Sequence, residues 1–251
     1  MIAVITGIGW ITTSGPGYGK GLCKKPARRF VMAAGQLPEI SRQSAFDTPF
    51  PRFGRMDKFS KLGLSAVALA LKDAGQNKPD QPDKFGKSEI GIIVSTFYGC
   101  LNTDIDYFNT VIPEKGALAS PNLFAYTLPN SFLGEAAIRF GFTGINFVVC
   151  ENHPSQITGL RMGLESIAFG ETEKMVTGLC NPDCPSMFAR TDKIAAGALF
   201  FLLEKETKKK YFHYGSLDLD KDGTILFGKN RINDLTTLVN LCLENYRSKG
   251  F

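Results

Sequence analysis

The sequence predicts a layered α/β domain, and three observations lead to this. Short apolar runs rich in β-branched residues recur along the chain, bounded by glycine or polar residues as buried strands are. Longer segments between them place apolar residues at the spacing of one helix face. Strands that alternate with helices are typical of a largely parallel sheet covered by helices.

The predicted elements follow in chain order. Buried strands are predicted at residues 2–6, 90–95, 146–150, 175–177 and 198–203, and edge strands at residues 211–214 and 225–227. Helices are predicted at residues 59–74, 101–110, 131–140, 157–168 and 232–242. Gly75 stands where a glycine ends a helix. Residues 24–55 and 113–131 lack sustained periodicity and are predicted as surface loops.

Composition excludes several classes of protein. The chain has 251 residues, 43% of them hydrophobic with 20 Phe, which is enough for a large core and too apolar for a disordered chain. A net charge of +5 is mild for this length and does not indicate nucleic-acid binding. The longest strongly apolar stretch, residues 194–203, is too short to cross a membrane.

Histidine and cysteine usage limits the chemistry further. His153 and His213 are the two histidines, so the chain cannot build a three-histidine zinc site. Cys180 and Cys184 have a CxxxC spacing with no further soft ligands nearby, and no metal is expected there. The sequence has no signal peptide, so the cysteines are expected to be reduced in a cytoplasm.

A glycine pair near the N-terminus and two clusters of basic residues resemble binding motifs, and each also has a purely structural interpretation. The third glycine of a dinucleotide-binding GxGxxG motif that starts at Gly7 would fall on Thr12, so Gly7 and Gly9 are interpreted as turn glycines and no cofactor is predicted. Basic clusters occur at Lys24, Lys25, Arg28 and Arg29, and again at residues 208–210. Each is either a solvated face or a docking site for an acidic protein or phosphate group.

His153 occupies the corner between a predicted strand and a predicted helix. Pro154 suits the first helical position, and backbone N–H groups and the helix dipole converge at such corners. The residues alone support two interpretations of His153 equally: a packed or hydrogen-bonded histidine, and a catalytic residue. Ser155 lies two positions on and is not expected to pair with it, and the chain has no GxSxG motif.

Several segments, in order, resemble the N-terminal half of a β-ketoacyl-acyl carrier protein synthase, a condensing enzyme of the thiolase fold. They are residues 4–9 (VITGIG), 55–60 (RMDKFS), 73–75 (DAG), 91–95 (GIIVS), 127–130 (TLPN) and 196–198 (AGA). The resemblance covers residues 1–215. It implies a thiolase-like layered domain corresponding to the N-terminal half, at residues 1–217, with a short remodelled C-terminal extension, residues 218–251, packing on it.

The resemblance fails at the reactive position. The family's nucleophilic cysteine, aligned without gaps, falls on His153, and Cys150 lies three positions too early to replace it. The family's two catalytic histidines belong to a second half, in enzymes nearly twice this long, and this half is expected to be absent. Condensation needs a thiolate and two imidazole donors, so no such site is expected here.

The resemblance therefore implies a non-catalytic accessory or scaffold protein of a fatty-acid or polyketide-type pathway, like the family's chain-length factors. It is expected to bind an active ketosynthase, an acyl carrier protein, or both, as a homodimer or heterodimer. The expected interface is the strand formed by Phe147, Val148, Val149, Cys150 and Glu151, and the expected carrier site is Lys24, Lys25, Arg28 and Arg29. Two alternatives stay open: an acyl-thioester hydrolase or transferase with His153 as general base, and a half-enzyme completed by a separate chain.

Overall fold

The computed structural model describes residues 2–24, 29–76, 89–185, 194–205 and 212–249. The strands are β1 Ala3–Thr12, β2 Gly15–Tyr18, β3 Ile90–Thr96, β4 Asn146–Cys150, β5 Lys174–Asn181, β6 Gly197–Lys205, β7 Gly215–Leu219, β8 Ile225–Phe227 and β9 Asn230–Ile232. The helices are α1 Gly19–Cys23, α2 Lys58–Asp73, α3 Leu101–Val111, α4 Pro121–Phe124, α5 Ser131–Phe140, α6 Thr158–Ala168 and α7 Leu235–Ser248. In this part of the chain no helix is both long and apolar enough to cross a membrane.

The strands form one mixed sheet rather than the largely parallel sheet that was predicted. Its order is β4-β3-β5-β6-β1-β7-β8-β9, and β2 pairs with β1. Only β3 pairs in parallel, with β4 and with β5, among the described strands; the other pairings are antiparallel. The prediction was wrong because a continuous apolar run reports burial on both faces, not strand direction.

Gly7 and Gly9 lie inside β1 and are not turn glycines. A Cβ atom on Gly9 would lie 2.1 Å from the backbone nitrogen of Ala70, and one on Gly7 would lie 2.2 Å from the carbonyl oxygen of Ala70. The two missing side chains allow the backbone of α2 to pack directly on the strand. Gly7 and Gly9 therefore allow close contact between helix α2 and the sheet.

Helices cover both faces of the sheet and enclose two hydrophobic cores. The first core lies under α2 and α5, and the second lies under α6 and α7. Residues 24–55 were predicted as a surface loop, but Phe46, Phe50 and Phe53 are buried in the first core. Short 3-10 turns at Arg42–Ser44 and Pro51–Arg55 bring these rings inward, which a search for regular periodicity cannot detect.

The tail joins the same sheet. A strand was predicted at residues 211–214, but strand β7 begins at Gly215 and pairs with β1, while Tyr214 is fully buried just before it. Helix α7 begins at Leu235, capped by Asp234, and buries its apolar face in the second core. The predicted division after residue 217 falls within β7, and the separate C-terminal extension stays a prediction.

Candidate functional site

The candidate site lies where the parallel strands β3, β4 and β5 end. Carboxyl ends of parallel strands meet at one edge of a sheet, which is where α/β proteins commonly bind ligands. Here the loops that follow Thr96, Cys150 and Asn181 come together. The turn between β4 and α6, residues 151–157, carries the predicted reactive position.

Asn181 ties the three loops to one another. Its side chain is buried, and its Oδ1 accepts hydrogen bonds from the backbone N–H of Phe97 at 2.9 Å and from Nε2 of Gln156 at 3.1 Å. Its Nδ2 donates in return to Oε1 of Gln156. Because the amide pair is buried and reciprocal, it fixes the position of the turn relative to β3 and β5.

Gln156 adopts a left-handed backbone conformation with φ of 43°. Among the described residues, only Lys115 is another non-glycine with positive φ. Such a conformation costs about 1–3 kcal/mol and persists where the surroundings enforce it. The amide pair with Asn181 and the hydrogen bond from the N–H of Gln156 to the carbonyl of His153, at 3.2 Å, hold the turn.

Glu151 caps the helix that follows. Its carboxylate accepts from the N–H of Thr158 at 3.1 Å, from the hydroxyl of Thr158 at 2.8 Å and from the hydroxyl of Ser95. Helix α6 begins at Thr158, so Pro154 lies in the turn and not at the first helical position. The carboxylate at this end also complements the helix dipole.

His153 and Ser155 contact each other, contrary to the sequence prediction. Nδ1 of His153 is 2.8 Å from Oγ of Ser155 and also lies 3.2 Å from the N–H of Ser155. The N–H can only donate, so Nδ1 is an acceptor and the neutral ring carries its proton on Nε2. The hydroxyl of Ser155 therefore donates to Nδ1. The conformation of the turn between these two residues brings their side chains together, and no spacing rule predicts that.

A family model described as the N-terminal domain of beta-ketoacyl synthase matches residues 31–197. The chain belongs to the beta-ketoacyl synthase family. None of the curated proteins compared with it matches.

Solved ketosynthase structures share the fold. A beta-ketoacyl synthase from Burkholderia phymatum is 18% identical, with a TM-score of 0.65 over 86% of this chain and 62% of its own. A ketosynthase in complex with its chain length factor from Xenorhabdus doucetiae is 17% identical, with a TM-score of 0.58 over 83% of this chain and 81% of its own. A structure described as a type II PKS acyl-carrier protein in complex with its ketosynthase is 18% identical, with a TM-score of 0.63 over 81% of this chain and 62% of its own.

The chain thus has the thiolase-like ketosynthase fold and spans about three fifths of the length of two of these three structures. Within this family, the assignment of His153 to the nucleophile position stays a prediction. Cys150, the last residue of β4, is exposed and has a free thiol. Glu151 is committed to the helix cap, while Phe147, Val148 and Val149 are half-buried.

The basic residues lie elsewhere on this ketosynthase-like chain. Lys24, just after α1, and Arg29 are exposed, whereas Lys25 and Arg28, like residues 208–210, lie outside the described residues. Helix α1 follows β2, which pairs with β1, and three strands separate β1 from β4. Lys24, at the end of α1, is therefore separated from His153 across the sheet.

Sequence reasoning missed Gln156 and Asn181 altogether. Neither residue belongs to a chemical motif, and their pairing joins positions 25 residues apart through the sheet. Glu151 and Asn181 are polar residues at the carboxyl ends of apolar strands. This position, where ligands commonly bind, is the feature of the sequence that could have identified them.

Proposed function

We propose that this chain is a ketosynthase-like accessory or scaffold subunit of a fatty-acid or polyketide-type pathway, without condensing activity of its own. The observation that carries the proposal is the turn after β4. At the position that we assign to the family's nucleophile, this turn carries an imidazole hydrogen-bonded to a hydroxyl, and Cys150 lies before the turn, in β4. Condensation requires a thiolate that holds the acyl group, so this site is unsuited to it.

Strand β4 supports pairing with a second subunit. It is an edge strand of the described sheet. The carbonyl of Ile145 accepts from the N–H of Ile92 at 2.7 Å, and the N–H of Glu151 donates to the carbonyl of Thr96 at 2.8 Å. Because backbone groups alternate along a strand, Val148 directs its N–H and carbonyl towards the open edge.

The proposed interface is therefore the segment Phe147, Val148, Val149, Cys150 and Glu151, paired with a strand of an active ketosynthase. The similar structure from Xenorhabdus doucetiae is described as a ketosynthase in complex with its chain length factor, which supports a heterodimer over a homodimer. The compartment we propose is the cytoplasm, because all six cysteines are free thiols. An acyl carrier protein is the proposed ligand of the cluster at Lys24, Lys25, Arg28 and Arg29.

The test is copurification of the tagged chain with ketosynthases of its native host, followed by light scattering on the isolated complex. The variant Val148→Pro removes an outward N–H at the centre of β4 and should abolish the complex while the far-ultraviolet spectrum stays unchanged. The matched control, Arg231→Pro, places proline on β9 at the opposite end of the sheet and should leave binding intact. A chain that is strictly monomeric and captures no ketosynthase would refute the proposal.

A second candidate function is an acyl-thioester hydrolase or transferase that uses His153 as general base. The contact between Nδ1 of His153 and Oγ of Ser155 favours it, because the base already accepts a hydrogen bond from a hydroxyl. This function is the alternative to a non-catalytic role, and like that role it involves no condensation. Release of thiol from an acyl thioester that is lost in His153→Ala would establish this activity.

A further inference from the structure

The turn after β4 holds the two groups that a covalent acyl transfer needs. Ser155 supplies a hydroxyl, and the unprotonated Nδ1 of His153 lies 2.8 Å from it, within reach for proton transfer. His153 is exposed and Ser155 is half-buried, so an acyl donor has access to both. The second hydrogen bond to Nδ1, from the N–H of Ser155, fixes the ring in the tautomer that can accept the proton.

The backbone of the turn presents Ser155 in a defined position. Gln156, the next residue, has the left-handed φ of 43° and is anchored by its buried amide pair with Asn181. Glu151 and Ser95 anchor the two sides of the same turn to the start of α6 and to β3. A strained turn from a strand into a helix is also how α/β hydrolases expose a nucleophilic serine. The strain at Gln156 is therefore explained if the position of Ser155 matters.

We propose that Ser155 is a nucleophile that takes an acyl group from a thioester, with His153 as its base; this rests on the second candidate function above. Oγ of Ser155 forms a bond to the thioester carbonyl carbon, and its proton moves to Nδ1 of His153. The carbon–sulfur bond breaks, and the leaving sulfur takes the proton from the imidazolium, which releases a free thiol. Ser155 then carries an ester.

Water completes the cycle. Nδ1 of His153 accepts a proton from water as the water oxygen attacks the ester carbonyl, and the serine oxygen takes that proton back. The products are a carboxylic acid and the original hydroxyl. Among the described residues none hydrogen-bonds to Nε2 of His153, so the pair lacks the carboxylate of a full triad. A serine–histidine pair without the carboxylate suits an activated acyl donor whose leaving group is weakly basic. A thioester is such a donor, because its leaving group is a thiolate.

The experiment uses the full chain and hexanoyl-N-acetylcysteamine, a soluble acyl thioester. Thiol release is followed with a chromogenic disulfide, and intact mass followed by peptide sequencing locates any hexanoyl adduct. We expect release above the buffer rate, with the adduct on Ser155 whenever the ester accumulates. Ser155→Ala should abolish both, and His153→Asn, which keeps an acceptor in the turn, should slow release by about 10²-fold or more.

Two controls separate this site from its surroundings. Cys150→Ala removes the exposed thiol nearest in sequence, and Ser248→Ala removes an exposed hydroxyl that donates to the backbone carbonyl of Asn245. Neither variant should change thiol release. Release that survives in Ser155→Ala but is lost in His153→Asn would overturn the nucleophile and leave His153 as a base on water. Release or labelling that depends on Cys150, or no release above buffer, would also refute the proposal. The proposal that the chain binds a ketosynthase is tested separately by copurification, and none of these outcomes decides it.

Discussion

The hydroxyl of Tyr214 donates a 2.7 Å hydrogen bond to Oδ2 of Asp73, which joins the last residue of α2 to the C-terminal tail. Both residues are buried. The same carboxyl group accepts the backbone N–H of Ile8 and of Lys20, each at 2.9 Å. One side chain thereby connects β1, α1 and α2 with a residue that follows the family-matched segment.

Tyr214→Phe removes one donor from this buried carboxyl and should lower the free energy of unfolding by about 1.5–3 kcal/mol. The loss is large because the carboxyl oxygen stays buried without that partner. Urea unfolding followed by circular dichroism measures it. Tyr107→Phe, in the partly exposed helix α3, is the control and should change stability by less than about 0.5 kcal/mol. Equal effects of the two substitutions would show that the bond to Asp73 contributes nothing.

Gly9→Ala should destabilise the chain by about 1–3 kcal/mol or prevent folding, because its Cβ would overlap the backbone of α2 at Ala70. Gly134→Ala, in helix α5, is the opposite case. No atom lies within 4 Å of its added Cβ, and alanine is the better helix former, so it should stabilise by about 0.5–1 kcal/mol. Thermal unfolding of both variants tests the pair. A neutral Gly9→Ala would mean that α2 and β1 are not in direct backbone contact.

Cysteine labelling should distinguish Cys150 from the buried thiols. Burial raises the pKa of Cys100 to about 12 and that of Cys23 to about 11, and it raises the pKa of Cys180 and Cys242 well above the usual range. At pH 8 the thiolate fraction of Cys100 is about one in 10⁴, so reaction with iodoacetamide should be slow until the chain unfolds. Exposed Cys150 should react first, as peptide mass analysis would show.

A complex formed through β4 should also protect Cys150. Added ketosynthase is expected to slow its labelling without changing that of the buried thiols. A fast phase at Cys100, Cys180 or Cys242, which are the buried cysteines, would contradict the described burial.

Charge reversal at Lys24, Lys25, Arg28 and Arg29 should weaken binding of an acyl carrier protein by at least about 10-fold at low salt, because these residues are proposed to face its acidic surface. Titration calorimetry at two ionic strengths measures the effect, which should shrink as salt rises. Lys221→Glu with Lys229→Glu, near the turns that flank β8, is the control. Unchanged carrier affinity in the first variant would remove this site from the proposal.

The regular elements could be predicted closely where one face is apolar and the ends are marked. The helix at residues 131–140 and the strands at 146–150 and 225–227 have the predicted bounds. Gly75, with φ of 71°, ends α2 as expected. Residues 24–55 were missed because Phe46, Phe50 and Phe53 are brought inward by tertiary contacts and not by a repeating pattern.

The length and composition determined that the chain can bury a sizeable core, and the order of short motifs determined the family and the layered α/β class. The sequence also predicts that His153 aligns with the family's nucleophile, which stays a prediction. Only the tertiary structure decided the strand directions, the packing of α2 against Gly7 and Gly9, and the contact of Ser155 with His153. The strand directions and the packing of α2 depend on residues far apart in the chain, about which local spacing carries no information. The turn that holds His153 and Ser155 is itself anchored to β5 by the distant pair of Gln156 and Asn181.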